Sequence, residues 1–208
     1  MARLAVDAGH DVVLSNSRGP ETLADLVAEL GPRARAATGA EAAALGDLVL
    51  VSIPVLGYPT LPAASLVGKI VLDTGNYYPQ RDGRIAALDS GLLTDSEYLA
   101  RHLPGARVVK VFNNIFYKHL QNLARPASAA DRTYLPIAGD GAGAKLAVVE
   151  FLDSIGYGAD DAGPLADSWR QQAGSPAYGV PYGEFENEKG TPANAAVIRG
   201  ALAAATRW

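Results

Sequence analysis

Three apolar runs constrain this chain more than any other feature. They are Asp47-Leu-Val-Leu-Val-Ser-Ile-Pro54, Lys69-Ile-Val-Leu-Asp-Thr74 and Arg107-Val-Val-Lys-Val-Phe112. The first is a near-continuous apolar run, which is how a strand buried on both faces reads; the second reads as the next buried strand and the third as another strand. Helical patterns lie around them. Leu23, Leu26, Val27 and Leu30 recur at helical spacing and stop at Gly31-Pro32. Short helices are expected at 40–45, 59–67, 84–89, 95–103 and 117–123, and longer ones at 142–155 and 192–206. In the 142–155 helix, Leu146, Val149, Phe151 and Leu152 are expected to face inward. Further strands are expected at 11–17, 35–38, 134–138 and 158–163. The strand at 134–138 carries Pro136 and so suits an edge. Strands alternating with helices imply a parallel α/β sheet with right-handed crossovers.

Composition removes several classes of function. A net charge of -4 and the lack of any Lys/Arg run argue against a nucleic-acid surface. With no cysteine there is no disulfide, thiolate metal site or cysteine nucleophile, which fits a cytoplasmic location. No apolar run approaches the roughly 20 residues needed to span a bilayer. His10, His102 and His119 share no metal-ligand spacing, and no G-x-S-x-G surrounds a serine. Asp160-Asp161 reads as a solvated turn.

The opening is unusual. Residues 1–10 read as the end of a helix, and Asp11-Val-Val-Leu-Ser-Asn-Ser-Arg18 as a strand with a polar tip. In a dinucleotide-binding fold these would be the first helix and the second strand. The first strand and the G-x-G-x-x-G turn should stand before them. Nothing stands before them in this sequence. The strand expected there lies between strands 2 and 4 of such a sheet, so its neighbours would be about 9–10 Å apart. Their inner backbone groups would be unpaired unless the gap closed or another segment filled it. A start assigned too far downstream would explain the opening, and so would a gap that closes with loss of cofactor binding.

Candidate site residues lie at strand ends, where ligands bind in open α/β sheets. The tip Ser15-Asn16-Ser17-Arg18 has no carboxylate before Glu21. Ser17 can donate a hydroxyl and Arg18 can fork two N–H groups onto a phosphate, so the tip favours NADP over NAD. It also reads simply as a polar turn leading to a helix start at Pro20. Ser52, Ile53 and Pro54 end the second visible long strand. Asn76 follows the next, beside Tyr77 and Tyr78, and Asn113-Asn114 follows the third. An unliganded turn is the competing reading for each of these.

The runs Gly9 to Arg18, Leu50-Val-Ser-Ile-Pro54, Asp73-Thr-Gly-Asn76 and Val109-Lys-Val-Phe-Asn-Asn114 together resemble the NADP-dependent, coenzyme F420-dependent oxidoreductase family. The similarity covers roughly residues 1–165 and extends more remotely to the reductase domain of metalloreductases and to pyrroline-5-carboxylate reductase. It implies an α/β, Rossmann-like doubly wound parallel sheet, N-terminally truncated. It places a dinucleotide-binding domain at 1–163 and a C-terminal extension with a terminal helix at 164–208. It implies NADP(H) as cofactor, and coenzyme F420 or a flavin as second substrate. Asn16, Ser17 and Arg18 would meet the 2'-phosphate end, and Ser52, Ile53, Pro54 and Asn76 the rest of the cofactor. Hydride transfer between flat rings needs close stacking rather than a strong acid or base, so no catalytic residue is singled out. The expected partner is a small redox molecule, with no nucleic acid and no membrane. The tail offers a surface for a homodimer. The competing reading is a non-catalytic Rossmann-like module that does not bind dinucleotide productively.

Overall fold

The apolar runs form the middle of a sheet with a core on each face. The structure, a computed structural model, describes residues 1–207. Its strands are β1 (Val12–Leu14), β2 (Ala34–Ala36), β3 (Leu48–Val51), β4 (Ile70–Asp73), β5 (Arg107–Lys110), β6 (Tyr134–Gly139) and β7 (Gly158–Asp161). Its α-helices are α1 (Ala2–Asp7), α2 (Ala24–Leu30), α3 (Gly39–Leu45), α4 (Ala63–Leu66), α5 (Pro79–Asp82), α6 (Ala86–Asp89), α7 (Asp95–His102), α8 (Tyr117–Asn122), α9 (Ala142–Ser154) and α10 (Ala195–Ala203). Helices of 3-10 type occupy Val55–Thr60 and Leu165–Gln171. The expected extension, 164–208, begins at Pro164, one residue before the helix at Leu165–Gln171, and its last residue, Trp208, lies outside the described residues.

Alternation along the central strands builds the two cores. Leu72 and Val109 point to one face and pack with Leu135, Leu152, Tyr157 and Ile198. Val71 and Val108 point to the other and pack with Tyr58, Leu66, Leu99 and Leu103. Helices thus cover both faces, as in a doubly wound fold.

The fold departs from the sequence reading at several places. β1 and β2 pair in parallel as a separate two-stranded sheet, while β3-β4-β5-β6-β7 form the second. β1 and β3 do not pair, so the expected gap has not closed by hydrogen bonding. β3 is therefore an edge strand, and its Leu50 is 37% exposed rather than buried. The second departure is direction: β3, β4 and β5 are parallel, but β6 runs antiparallel to β5.

Third, Pro136 is not on an edge. β6 lies between β5 and β7. The carbonyls of Thr133 and Ile137 accept from Gly158 and Ala162 on the β7 side, so by alternation Pro136 faces β5. There the ladder is confined to Val109↔Gly139 and Lys110↔Ala138. The missing proline N–H thus falls beyond the ladder, and the Pro136 carbonyl accepts instead from Gln171 Nε2 at 3.3 Å. Fourth, Leu146 and Val149 are exposed, and Ala144, Val148 and Leu152 form the buried stripe of α9. Asp160, read as solvated, is buried in β7 and accepts from Arg199 Nε at 2.8 Å.

The helix nearest the site is fastened at its start. Thr94 Oγ1 accepts from Glu97 N at 3.1 Å, and Glu97 accepts from Thr94 N at 2.8 Å. This capping box satisfies two otherwise orphaned amides of the first turn of α7. Thr94→Ala should lower the unfolding free energy by about 1–2 kcal/mol in urea denaturation; a loss under a few tenths would contradict the capping role.

Candidate functional site

The site begins where β3, β4 and β5 end. Val51 is the last residue of β3, and its carbonyl accepts from Thr74 N and Thr74 Oγ1, both at 3.2 Å. These bonds draw the loop after β4 against the loop after β3. Ser52, Ile53, Pro54, Thr74, Gly75, Asn76, Tyr78 and Arg81 line one cavity of about 190 Å³. Four of the seven candidate residues, Ser52, Ile53, Pro54 and Asn76, therefore meet at one place. Asn16, Ser17 and Arg18 do not line this cavity, because they sit beyond β1 in the other sheet.

Beneath the cavity floor is a buried polar cluster. Asp73 and Lys110 are in register on β4 and β5, and both are 0% exposed. Lys110 Nζ lies 3.3 Å from Asp73 Oδ2 and also donates to the Gly75 carbonyl. Asp73 Oδ1 accepts from Gly75 N at 2.8 Å, and Oδ2 accepts from Ser96 Oγ at 2.6 Å. One ion pair thus holds both backbone groups of Gly75, the residue that brings bare backbone into the cavity. A Cβ on Gly75 would fall 1.9 Å from Tyr58 Oη, so only glycine fits. Burial, reinforced by Asp73, pushes the Tyr58 hydroxyl far above its usual pKa. Burial also raises the Asp95 carboxyl, which accepts from Tyr77 N at 3.0 Å and so orients the same loop.

The far wall is held by amides. Asn76 Nδ2 donates to the Asn113 carbonyl at 2.8 Å, and Asn113 Nδ2 returns a bond to Asn76 Oδ1 at 3.0 Å. Asn113 also exchanges bonds with Gln171: Nδ2 donates to its backbone carbonyl at 2.7 Å, and Gln171 Nε2 donates to Asn113 Oδ1 at 3.0 Å. Arg81 stacks over the Tyr78 ring at 5.0 Å and donates to the Asn76 carbonyl at 2.7 Å. Its pairing with Asp82 holds that buried carboxyl below the usual range.

The tip after β1 is a turn built by its own side chains. Asn16 Oδ1 accepts from Arg18 N at 2.9 Å, and Asn16 Nδ2 donates to Thr22 Oγ1 at 2.9 Å. This is the local bonding that makes Asn a turn residue. Asn16 is spent on the turn, and Ser17 and Arg18 are exposed. The Glu21 carboxylate folds back over Gly19, where a Cβ would fall 2.3 Å from its Oε1, so the missing side chain leaves room for it.

Lys110, Ser96, Tyr58, Arg81 and Gln171 take part in the site although the sequence did not single them out. Lys110 carried a faint signal, a lone charge inside an apolar run. Gln171 and Ser96 carried none, since their partners are 58 and 23 residues away.

Residues 1–77 match the family model described as NADP oxidoreductase, coenzyme F420-dependent. Among solved structures, the hypothetical protein SMa0349 from Sinorhizobium meliloti is similar at 28% identity, with a TM-score of 0.71 over 83% of each chain. A protein provisionally named an F420-dependent NADP-reductase from Arthrobacter sp. FB24 matches at 25% identity and TM-score 0.66, over 81% of this chain and 80% of that one. An imine reductase from Pseudomonas sp., at 16% identity and TM-score 0.52, covers 86% of this chain and 53% of its own and shares the fold. No curated protein matches the sequence. The family is one of NADP-dependent oxidoreductases, and the cavity lies at the strand ends of its Rossmann-like sheet. Among the described residues, no helix is long and apolar enough to cross a membrane.

Proposed function

We propose that this protein is an NADP(H)-dependent oxidoreductase that exchanges hydride between the nicotinamide and a flat acceptor, coenzyme F420 or a flavin. One observation carries the reading. Ser52, Ile53, Pro54 and Asn76 come together on one cavity at the carboxyl ends of β3 and β4, in a chain whose first 77 residues match the family. When bound, the nicotinamide supplies the hydride. The chain's own residues bind and orient. Arg18 and Ser17 take the 2'-phosphate, the backbone of 52–54 and Gly75 admits close approach, and the Asn76 amide is held rigid by Asn113. Asn16 supports this tip through its turn rather than by direct contact. A small-molecule redox partner and a cytoplasmic setting are part of the same reading.

Titration of the full chain with NADPH, followed by nicotinamide fluorescence, tests it. Saturable binding below about 1 mM is expected, and a flat response to that concentration would sink the reading. Arg18→Ala should weaken NADPH by about 10–100-fold and leave NADH unchanged, the usual worth of a hydrogen bond to a charged group. Equal losses for both dinucleotides would remove Arg18 from the phosphate site. The alternative, a Rossmann-like module without productive dinucleotide binding, draws on the lack of pairing between β1 and β3. It requires the NADPH titration to stay flat.

A further inference from the structure

Residues 1–37 comprise α1, β1, α2 and β2, and they are bound chiefly to one another. β1 and β2 pair in parallel at three positions, Val12↔Ala34, Val13↔Arg35 and Leu14↔Ala36. Val12 N donates to the Arg33 carbonyl at 2.7 Å, and Ala37 N donates to the Leu14 carbonyl at 2.9 Å. The ion pairs Arg3–Glu29 and Arg33–Asp11 both lie within the segment. Its buried residues Ala5, Leu30 and Ala34 belong to neither core of the main sheet.

The attachment to the main sheet is thin. Among the described residues, one hydrogen bond crosses from residues 1–37 to the chain beyond Thr38. It joins His10 Nε2 to Ser154 Oγ at 2.8 Å. Ser154 Oγ donates to the Phe151 carbonyl at 2.7 Å, so it accepts from the imidazole N–H. The His10 ring also lies 5.4 Å from that of Phe151. Beside this contact, Met1 and Leu4 pack on the core that holds Val148 and Leu152. The covalent link is a well-defined joint. Thr38 Oγ1 accepts from Glu41 N at 3.3 Å, and Glu41 accepts from Thr38 N at 2.9 Å. This capping box fixes the start of α3, so the joint falls at Ala37-Thr38. A two-stranded parallel sheet with no third strand is marginally stable, and such a unit opens at a lower free energy than the whole domain.

We infer that residues 1–37 are a docked unit that swings on the Ala37-Thr38 joint, and that His10 is the positioning residue that latches it to α9. The unit carries Ser17 and Arg18, while Ser52, Ile53, Pro54 and Asn76 stay with the main sheet. Docking therefore sets the distance between the two groups of candidate residues. That a dinucleotide spans them rests on the proposed NADP(H) reading; the docking itself does not.

Hydrogen exchange followed by NMR on the full chain, without ligand, tests the docked unit. The amides of Val12 and Ala37 should exchange through one shared opening, about 100-fold or more faster than those of Val111 and Ala162, which bond across the main sheet. Equal protection in the two sheets would overturn the inference. Ser154→Ala removes the latch's acceptor at an exposed position of α9 and leaves every residue of the unit in place. It should speed exchange at Val12 and Ala37 by about fivefold, the usual worth of one hydrogen bond, with Val111 and the urea midpoint unchanged. If Val12 and Ala37 are unaltered, or if Val111 quickens equally, His10 is not the latch. Saturating NADPH should slow exchange at Val12 and Ala37 by about tenfold or more, because a ligand held from both sides stabilises the docked state. A unit that opens as expected and ignores NADPH would overturn the dinucleotide reading across the two parts and leave the docked unit standing.

Discussion

Replacing Lys110 by Met should lower the unfolding free energy by about 3–5 kcal/mol. The shape is nearly conserved, so the loss comes from charge. Asp73 would remain fully buried opposite an apolar side chain, with only Ser96, Gly75 and the distant Tyr58 hydroxyl at 3.5 Å to compensate it. Breaking a buried pair from one side costs far more than replacing both partners. The double variant Lys110→Met with Asp73→Asn should therefore recover a large part of the loss. Urea denaturation reads both. A single variant within about 1 kcal/mol of wild type would show that the pair is not holding the two strands. Because the same ammonium bonds the Gly75 carbonyl, NADPH affinity should fall in the single variant even under conditions where it is fully folded.

Asn113→Ala should cost about 2–4 kcal/mol, since it removes an amide that serves three partners. Gln171 Nε2 would keep only its 3.3 Å bond to Pro136, and the Gln171 carbonyl and Asn76 Oδ1 would each lose a donor. Unsatisfied buried groups cost about 1–3 kcal/mol each, partly offset by water entering the space. The far wall of the cavity would loosen with it. Thermal unfolding and NADPH titration, measured together, check this. Unchanged stability would mean that the amide network is not what joins residues 113–114 to the 3-10 helix at Leu165–Gln171.

The strands were legible because burial on both faces leaves its mark on every residue of a short segment. β4 and β5 are buried almost throughout, β4 as an apolar run closed by Asp73 and β5 as a Val-Val pair between Arg107 and the buried Lys110. β3 reads the same way but is partly exposed, because the sequence pattern records an apolar segment and not which neighbours cover it. The loops at the strand ends were legible by position. Ser52, Ile53, Pro54 and Asn76 follow strands, and parallel strands carry their ends to one edge. α9 was harder. Its helical period was visible, but with apolar residues on several faces the buried stripe could not be chosen from Leu146 or Val149.

What the sequence determined by itself was the class of fold, the likeness of the first 77 residues to a family of NADP oxidoreductases, and the loops that line the cavity. Those properties rest on local pattern: apolar continuity, helical period and the residue types at strand ends. The tertiary structure alone decided that β6 turns antiparallel beside β5, that Pro136 sits inside the sheet, and that Lys110 meets Asp73 under Gly75. It alone placed Tyr78 against Tyr178, 100 residues apart. Local periodicity reports how deeply a residue is buried in its own element. Which distant element it is buried against depends on strand order and on how opposing side chains fill the space between layers, and neither is written in any one stretch of chain.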